Sequence, residues 1–429
     1  MTNDPHLRSV ADENALEPVE LIRQSGAVLR VGKAMLSSGT GSYRVKTAMQ
    51  QVARSFGLDR HEAHVTLTEI TATSHRGPIF RTEVAEVRTI GVNSHRLSRL
   101  TDLVNGLAPG ATVDHVNREL DQIDKLQPLY APLLNALFAA MACGAFAFLN
   151  NGGPIEVLGV FISAGIGQYV RRFALHRKFN QFGVTMVAAA VASLGYLGFV
   201  LALNEWAGGA GTSHEAGYIS SVLFLVPGFP LVTGALDLAK LDFSAGVART
   251  VYALAILMSA ALSVWAITWA TGVSGEPTPP AEMAYAVQLS LRLLASALGV
   301  LGFALMFNSP WRMALGATLI GMIANTMRLE LRDAGVAIQA ATMIATLVVG
   351  LLAAYLAPRL KVPRITLSVP AVVIMVPGAA AYRAVVGLNN GDPGIAVTAG
   401  SQAVFVVISI AIGLAAARML TDREWAFER

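Results

Sequence analysis

The chain has 429 residues, of which 54% are hydrophobic and 14% are charged. Soluble proteins usually carry about a quarter charged residues, so the composition excludes an ordinary soluble protein and indicates an integral membrane protein. The formal net charge is +4, but no run of Lys and Arg interleaved with aromatic residues is present, which argues against nucleic-acid binding.

The charges are unevenly placed and divide the chain in two. Residues 1–18 have no apolar core, and we predict a disordered N-terminal arm there. Residues 19–130 are predicted to form a small soluble α+β domain in the cytoplasm. Its predicted helices cover residues 19–35, 43–56, about 96–106 and 113–123, and alternating apolar residues over 64–71 and 79–90 predict a β-hairpin.

Apolar segments separated by short polar loops occupy residues 131–418. A helix needs about 20 apolar residues to cross the hydrocarbon core of a bilayer. We therefore predict an all-α polytopic membrane protein with about ten transmembrane helices after the α+β domain, and a cytoplasmic tail at 419–429. The predicted spans are 131–149, 154–170, 181–204, 217–238, 246–271, 284–306, 310–327, 333–356, 365–387 and 395–418.

Lys and Arg are concentrated in alternate loops. Three of the loops predicted to be external, at 150–153, 205–216 and 272–283, contain neither residue, and the exceptions Arg328 and Arg332 stand beside acidic residues. The positive-inside rule then places both termini in the cytoplasm of a bacterial inner membrane. The loops predicted to be internal carry Arg171, Arg172, Arg177, Lys178, Lys240, Arg249, Arg312, Arg359, Lys361 and Arg364.

The triplet Val-Pro-Gly occurs twice within apolar segments, at residues 226–228 and again 150 positions later at residues 376–378. Proline removes a helical hydrogen bond and glycine weakens the helix further. In a bilayer such breaks survive only where the freed backbone is buried in protein or lines a cavity. Two matched breaks therefore indicate a translocation pathway, although proline in a membrane helix often only produces a kink.

The two triplets also indicate an internal repeat, with modules at 131–271 and 284–418. Each module contains five spans. Because this number is odd, the second module would enter the membrane from the opposite face. Discontinuous helices at the centre of such a 5+5 inverted repeat are typical of secondary transporters. Both prolines are predicted to lie near the membrane midplane.

Each predicted break exposes backbone groups. Pro227 would free the carbonyl of Leu223, Pro230 that of Val226, and Pro377 that of Val373. The half-helix after Gly228, with Pro230 in its first turn, offers N–H groups and the positive end of its dipole. A small zwitterion could be held at both of its ends by backbone alone.

Polar side chains within the spans add candidates, each with a structural alternative. Arg292 near the midplane could bind a carboxylate or could pair with an acid to hold helices together; Asp237 could couple protons or bind an amine, or extend to the interface. Asn325 could bind substrate or join helices. The full set of candidate substrate-binding or translocation residues is Pro227, Gly228, Phe229, Pro230, Thr233, Asp237, Arg292, Asn325, Pro377, Gly378, Tyr382 and Arg383.

The segment 222–238, VLFLVPGFPLVTGALDL, resembles the signature of the threonine/serine exporter (ThrE) family. Residues 376–378 followed by Tyr382 resemble that family's second module, and residues 37–58 resemble part of its soluble region. The resemblance implies export of threonine and serine from the cytoplasm, driven by the proton motive force. Split two-protein relatives are linked to dicarboxylate export, so a succinate-like substrate is the alternative.

The residues of the soluble domain allow other hypotheses about function. A metal site or the hydrolytic site of a membrane-bound hydrolase could be formed by His61, His64, His75 and His95 with Glu62 and Glu69. No His-Glu-x-x-His, Cys-x-x-Cys or Gly-x-Ser-x-Gly motif is present, so we predict surface histidines, no enzyme and no metal site. Residues 26–34 do not match a phosphate loop, and we predict no cofactor. The domain's possible roles are gating of the cytoplasmic mouth, contacts in a homo-oligomer and binding of a regulator; a passive scaffold is a further alternative for the whole chain.

Overall fold

The computed structural model describes residues 19–88, 91–207, 215–271 and 282–426. They form two compact units that divide between Gln127 and Pro128. The predicted disordered arm at 1–18 lies outside the described residues.

The first unit packs helices against one face of a small antiparallel sheet. Its elements are α1 (Val19–Ser37), α2 (Ser42–Ser55), β1 (Arg60–Val65), β2 (Glu69–Arg76), β3 (Ile79–Glu86), α3 (Ser94–Gly106) and α4 (Val113–Asp124), with strand order β1-β2-β3. Gly32 of α1 allows close packing, because a Cβ there would lie 2.5 Å from Met49 Sδ and 3.2 Å from Ile70 Cδ1. The four predicted helices are confirmed within two residues at each end.

The predicted hairpin is a three-stranded sheet, so the prediction of one strand over 64–71 was wrong. A turn interrupts that run: Thr66 N donates to Glu69 O at 2.9 Å, and Glu69 N donates to Thr66 Oγ1 at 3.1 Å. The threonine hydroxyl supplies the turn with an acceptor, which lets a β-branched sequence reverse direction without glycine or proline. Two strands therefore lie where the alternation suggested one.

The second unit is helical, and its helices have an apolar exterior. They are α5 (Pro132–Leu149), α6 (Pro154–His176), α7 (Gln181–Ala207), α8 (Glu215–Ser221), α9 (Gly228–Ala239), α10 (Phe243–Thr271), α11 (Tyr285–Met306), α12 (Trp311–Asp333), α13 (Ile338–Leu360), α14 (Arg364–Val373), α15 (Gly378–Asn389), α16 (Pro393–Thr421) and α17 (Arg423–Ala426). A single 3₁₀ turn, Leu223–Leu225, lies between α8 and α9.

Six helices among the described residues are long and apolar enough to cross a membrane, and the bent pair α14–α15, with 48° between its parts, makes up to seven. These helices identify a multi-pass membrane protein. Helix α9 is apolar but shorter, and the charge-bearing helices α6 and α12 fall outside the set. Ten crossings are thus not established by length and composition alone.

The two halves of the second unit repeat the same local geometry. Helices α9 and α15 have 12 residues each and α10 and α16 have 29 each, at an offset of 150 positions. Helices α6 and α12 have 23 residues each, and the turns before them contain Asn151 at φ 68° and Asn308 at φ 60°. An offset of 157 positions relates this second pair. The difference between the two offsets therefore arises from the length of the loop that precedes the broken helix in each half.

Candidate translocation site

Both Val-Pro-Gly triplets break a helix, and they do so with the same backbone conformation. Pro227 has φ −79° and ψ 58°, and Pro377 has φ −80° and ψ 55°. At each break the glycine N–H donates to the valine carbonyl at 2.8 Å, which makes an inverse γ-turn around the proline. The following half-helix starts with a bond to the proline carbonyl, from Leu231 N at 3.1 Å or Ala381 N at 3.0 Å.

The carbonyls predicted to be freed are not left without donors, which corrects the sequence-based expectation. Leu223 O accepts from Val226 N at 3.1 Å, Val373 O accepts from Val376 N at 3.1 Å, and Val226 O accepts from Gly228 N. The backbone tightens before each proline, so a shorter bond replaces the helical one that proline removes. Each carbonyl retains its second lone pair for a ligand.

The two breaks pack against each other reciprocally. A Cβ on Gly228 would lie 3.0 Å from Val373 Cγ2, and a Cβ on Gly378 would lie 2.6 Å from Leu223 Cδ2. Leu223 and Val373 occupy matching positions before the two prolines, 150 positions apart. Each glycine therefore receives the side chain that precedes the other break, and the contact has an approximate two-fold relation.

Beside the first break, the candidates Thr233 and Asp237 form a buried polar cluster with Arg249. Arg249 Nε lies 3.1 Å from Asp237 Oδ2, and the two side chains are 4% and 0% exposed. Arg249 Nη1 donates to Thr233 Oγ1 at 3.5 Å, while Thr233 Oγ1 donates to Phe229 O at 2.9 Å. Asp237 is thus enclosed rather than extended to an interface.

Arg249 was predicted to lie in a loop, and this placement was wrong. Helix α10 begins at Phe243, so Arg249 lies in its second turn. The turn at Leu241, with φ 60°, reverses the chain between α9 and α10 and brings Arg249 onto Asp237. Arg171 and Arg172 were assigned to a loop too, but α6 continues to His176. Hydropathy ended the predicted span 154–170 just before Arg171, whereas the predicted span 246–271 already contained Arg249 although the charge pattern assigned that residue to a loop. Guanidinium groups can be buried when they have acceptors.

Arg292 forms ion pairs at the end of α12. Its Nη1 lies 2.7 Å from Glu330 Oε1, and its Nη2 lies 2.5 Å from Asp333 Oδ2. These contacts correspond to the helix-joining alternative for Arg292. The side chain also lines a pocket with Phe148, Gly152, Gln288, Leu329 and Arg332.

Amide side chains join helices elsewhere in the unit. Asn325 Nδ2 donates to Ser296 Oγ at 2.9 Å, and Gln168 Nε2 donates to Asn135 Oδ1 at 2.8 Å. Gln168 and Asn325 stand at the same position of α6 and α12, 157 positions apart, and each precedes an arginine by three residues. That repeated spacing is a signal in the sequence that hydropathy alone does not reveal.

The remaining candidates lie on the half-helices. The ring of Phe229 meets that of Phe307 edge-on, with 5.7 Å between centroids. Tyr382 and Arg383 lie on α15, where Tyr382 is half-buried and Arg383 is exposed. Pro230 is half-buried in the first turn of α9. Within the described residues no three His, Cys, Asp or Glu side chains are grouped so that they could hold a metal ion.

Two family models match successive parts of the chain: "Putative threonine/serine exporter" over residues 27–271 and "Threonine/Serine exporter, ThrE" over residues 292–420. The threonine/serine exporter of Corynebacterium glutamicum is 26% identical, covering 94% of this chain and 83% of the relative. The probable threonine/serine exporter of Mycobacterium tuberculosis is 25% identical, covering 85% and 70%.

A third relative, the probable succinate transporter subunit YjjP of Escherichia coli, is 28% identical, covering 55% of this chain and 89% of the relative. No solved structure matches the chain. These relatives are transporters rather than enzymes. The chain belongs to the ThrE family of threonine/serine exporters.

Proposed function

We propose that the chain is a secondary exporter of threonine and serine from the cytoplasm, driven by the proton motive force. The observation that carries the proposal is the pair of matched, reciprocally packed helix breaks in a membrane protein. Irregular backbone within a membrane domain is costly unless protein or a cavity surrounds it, and transporters place such backbone at the substrate site. Family membership and the names of the relatives supply the cargo.

The proposed topology has ten crossings arranged as a 5+5 inverted repeat, with modules at 131–271 and 284–418. Helices α6 and α12 and the broken helices then cross together with the six that are long and apolar enough. The matched lengths and turns of the two halves support the repeat, and Lys and Arg in alternate loops support cytoplasmic termini. The domain at 19–130 would then face the cytoplasm.

At the site, the substrate would lie between the two breaks. Its ammonium group would use carbonyl lone pairs before Pro227 and Pro377, and its carboxylate would approach the N-terminal end of a half-helix. Because Val373 fills the space at Gly228 and Leu223 fills that at Gly378, the two breaks must separate to admit substrate. Asp237, enclosed with Arg249, is the proposed proton-coupling carboxylate.

Succinate export is the second candidate, favoured by the Escherichia coli relative. A dicarboxylate needs more positive charge than a zwitterion. The residues available for it are Arg292, which is already paired with Glu330 and Asp333, and Arg383, which is exposed.

Counterflow tests the proposal. Liposomes that contain the purified protein are loaded with unlabelled serine, with succinate or with buffer. Uptake of radiolabelled threonine is then followed with and without an imposed pH gradient. Trapped serine should stimulate uptake, and the pH gradient should increase accumulation. Stimulation of labelled succinate uptake by trapped succinate, with none for threonine in folded protein, would replace the amino-acid proposal with the dicarboxylate one.

A further inference from the structure

Arg171 of α6 is a half-buried cation that has no ion-pair partner among the residues that the structure describes. Its Nη1 donates to the carbonyl of Phe224 at 3.4 Å, and its Nε is buried and has no hydrogen-bond partner within those residues. No carboxylate among the residues that the structure describes lies within 4.0 Å of its guanidinium. A guanidinium placed inside a membrane domain without an anion is costly, and such residues commonly mark a substrate path.

The position of Arg171 relates it directly to the first break. One turn earlier on the same helix, a Cβ at Gly167 would lie 2.8 Å from the ring of Phe224, so α6 packs closely on the 3₁₀ turn before Pro227. Gln168 lies on the same stretch, and its Oε1 is also buried and has no hydrogen-bond partner in the described part of the chain. Two polar atoms that lack a hydrogen-bond partner among the described residues therefore lie on the helix that packs against the first break, and one of them belongs to a cationic side chain.

The second half of the chain contains an equivalent residue. Arg328 follows Arg171 by 157 positions, the same offset that relates α6 to α12. Its Nε donates to Asn325 Oδ1 at 3.1 Å, and no carboxylate of the described residues lies within 4.0 Å of it either. The two arginines thus occupy equivalent positions, each follows an amide residue by three positions, and neither has an ion pair among the described residues.

Helix α12, which carries Arg328, packs along the half-helix before the second break. A Cβ at Gly316 would meet Leu367, and one at Gly321 would meet Ala371, so α12 and α14 run in the same direction. Arg328 is seven residues beyond Gly321, and Gly378 is seven residues beyond Ala371. Arg328 thus follows, on α12, the stretch that packs against the half-helix before the second break.

We propose that Arg171 and Arg328 bind the substrate carboxylate, one at each helix break of the pathway. The inference rests on the proposed transport function but not on the cargo, because threonine, serine and succinate all carry a carboxylate. A guanidinium offers two parallel donors to a carboxylate, and the nearby break carbonyls can accept from an ammonium group. Arg249, which is buried in the first module, is already paired with Asp237.

The test compares ligands with and without a carboxylate. Counterflow of radiolabelled threonine is measured in liposomes, with unlabelled threonine or threoninol, in which the carboxylate is reduced to an alcohol, as competitor. The variants are Arg171→Gln and Arg328→Gln, with Arg172→Gln as a control that removes the same charge one residue away. Thermal unfolding in detergent and the charge-retaining Arg171→Lys identify variants that only fold poorly.

Each arginine variant should raise the half-inhibiting concentration of threonine roughly tenfold to a hundredfold, the range for losing a hydrogen bond to a charged group, and should leave that of threoninol within about twofold. Arg172→Gln should change neither, and Arg171→Lys should recover part of the loss. Equal weakening of threonine and threoninol, or threonine inhibition unchanged in folded Arg171→Gln, would overturn the inference while leaving the transport function standing.

The experiment can distinguish a protein that transports a substrate other than threonine from one in which the two arginines do not bind the carboxylate. If wild type carries succinate and not threonine, the same variants are tested with succinate against uncharged succinamide, and selective loss of succinate binding supports the arginine roles. If folded wild type carries neither compound, the transport proposal and the inference both fall.

Discussion

Charged residues inside the second unit fall into two classes at the scale of single side chains. Among the described residues, Arg249 and Arg292 have carboxylate partners, whereas Arg171 and Arg328 donate only to neutral oxygen atoms. Paired charges hold helices together, so their loss should affect folding, in addition to proton coupling in the case of Asp237. Unneutralised charges are costly for folding and should mainly affect ligand binding.

The buried pair Asp237–Arg249 allows a direct stability test. Asp237→Asn leaves the guanidinium of Arg249, in a side chain only 4% exposed, without its carboxylate. Removing one partner of a buried ion pair costs about 3–5 kcal/mol, because the other charge remains desolvated. We expect a clearly lowered unfolding temperature in detergent, and partial recovery in the double variant Asp237→Asn/Arg249→Gln.

Arg332→Gln is the matched control for that experiment. Arg332 and Asp333 also lie 3.1 Å apart, but their side chains are 42% and 40% exposed. Exposed pairs contribute about 0–1 kcal/mol, so this variant should melt close to wild type. An Asp237→Asn protein as stable as wild type would mean that the pair is dispensable for folding.

His61 was predicted to lie at the surface, but it is buried, and it makes the stability of the first unit depend on pH. It is 8% exposed on β1, its Nδ1 lies 2.9 Å from Ser74 Oγ, and burial lowers its pKa from 6.5 to about 4. The unfolded chain therefore binds a proton more readily than the folded one. The His61 contribution to the free energy of unfolding should be fully present above pH 6.5 and should decrease as the pH drops toward 4. The total decrease should be on the order of 3 kcal/mol.

Hydrogen exchange of the β1 and β2 amides in the full-length protein, corrected for the intrinsic pH dependence of exchange, measures this effect. His61→Gln should abolish most of the loss of protection between pH 6.5 and 4, while the same change at the exposed His64 of β1 should leave it intact. An identical pH profile in wild type and His61→Gln would assign the acid sensitivity to other groups.

At the scale of elements, the reciprocal contact between the breaks predicts a compensating pair of mutations. Gly378→Ala places a methyl group 2.6 Å from Leu223 Cδ2, which overpacks the contact. Overpacking typically costs about 1–3 kcal/mol, and here it should also slow threonine counterflow, because the breaks must move to admit substrate. Shortening the opposing side chain in Gly378→Ala/Leu223→Ala should restore part of both losses.

Gly198→Ala on α7 is the control, since nothing lies within 4 Å of a Cβ at that position. In a helix interior this change should be neutral or stabilising by up to about 1 kcal/mol. Counterflow unaffected by Gly378→Ala would show that the two breaks do not move against each other during transport.

The same elements show what the sequence could and could not predict. Proline cannot donate a hydrogen bond, so the breaks at Pro227 and Pro377 follow from local chemistry and lie where the triplets indicated. The Asp237–Arg249 pair depends on the left-handed Leu241 and on α10 starting at Phe243, and hydropathy registers neither. The turn at Thr66 was missed because its stabilising bonds come from a β-branched residue that normally favours a strand.

At the scale of the whole molecule, the second half is proposed to repeat the first in the inverted orientation across the membrane. In an inverted repeat, matching positions of the two halves face opposite sides of the membrane. Arg177 and Ala334 are such a pair, and so are Ala239 and Asn389; all four are exposed at helix ends. A parallel repeat would place both members of each pair on the same side.

Single cysteines at these four positions, introduced after replacing the lone Cys143, distinguish the two arrangements in whole cells treated with a membrane-impermeant maleimide. The charge distribution predicts that Arg177→Cys and Ala239→Cys are cytoplasmic and react only after cells are permeabilised, whereas Ala334→Cys and Asn389→Cys react at once. Cys143 is the one cysteine of the chain, so its replacement by alanine removes the thiol that would otherwise give background labelling. Reaction of both members of a pair from the same side would mean that the repeat is not inverted, and the reciprocal contact of the breaks would then need an explanation other than alternating access.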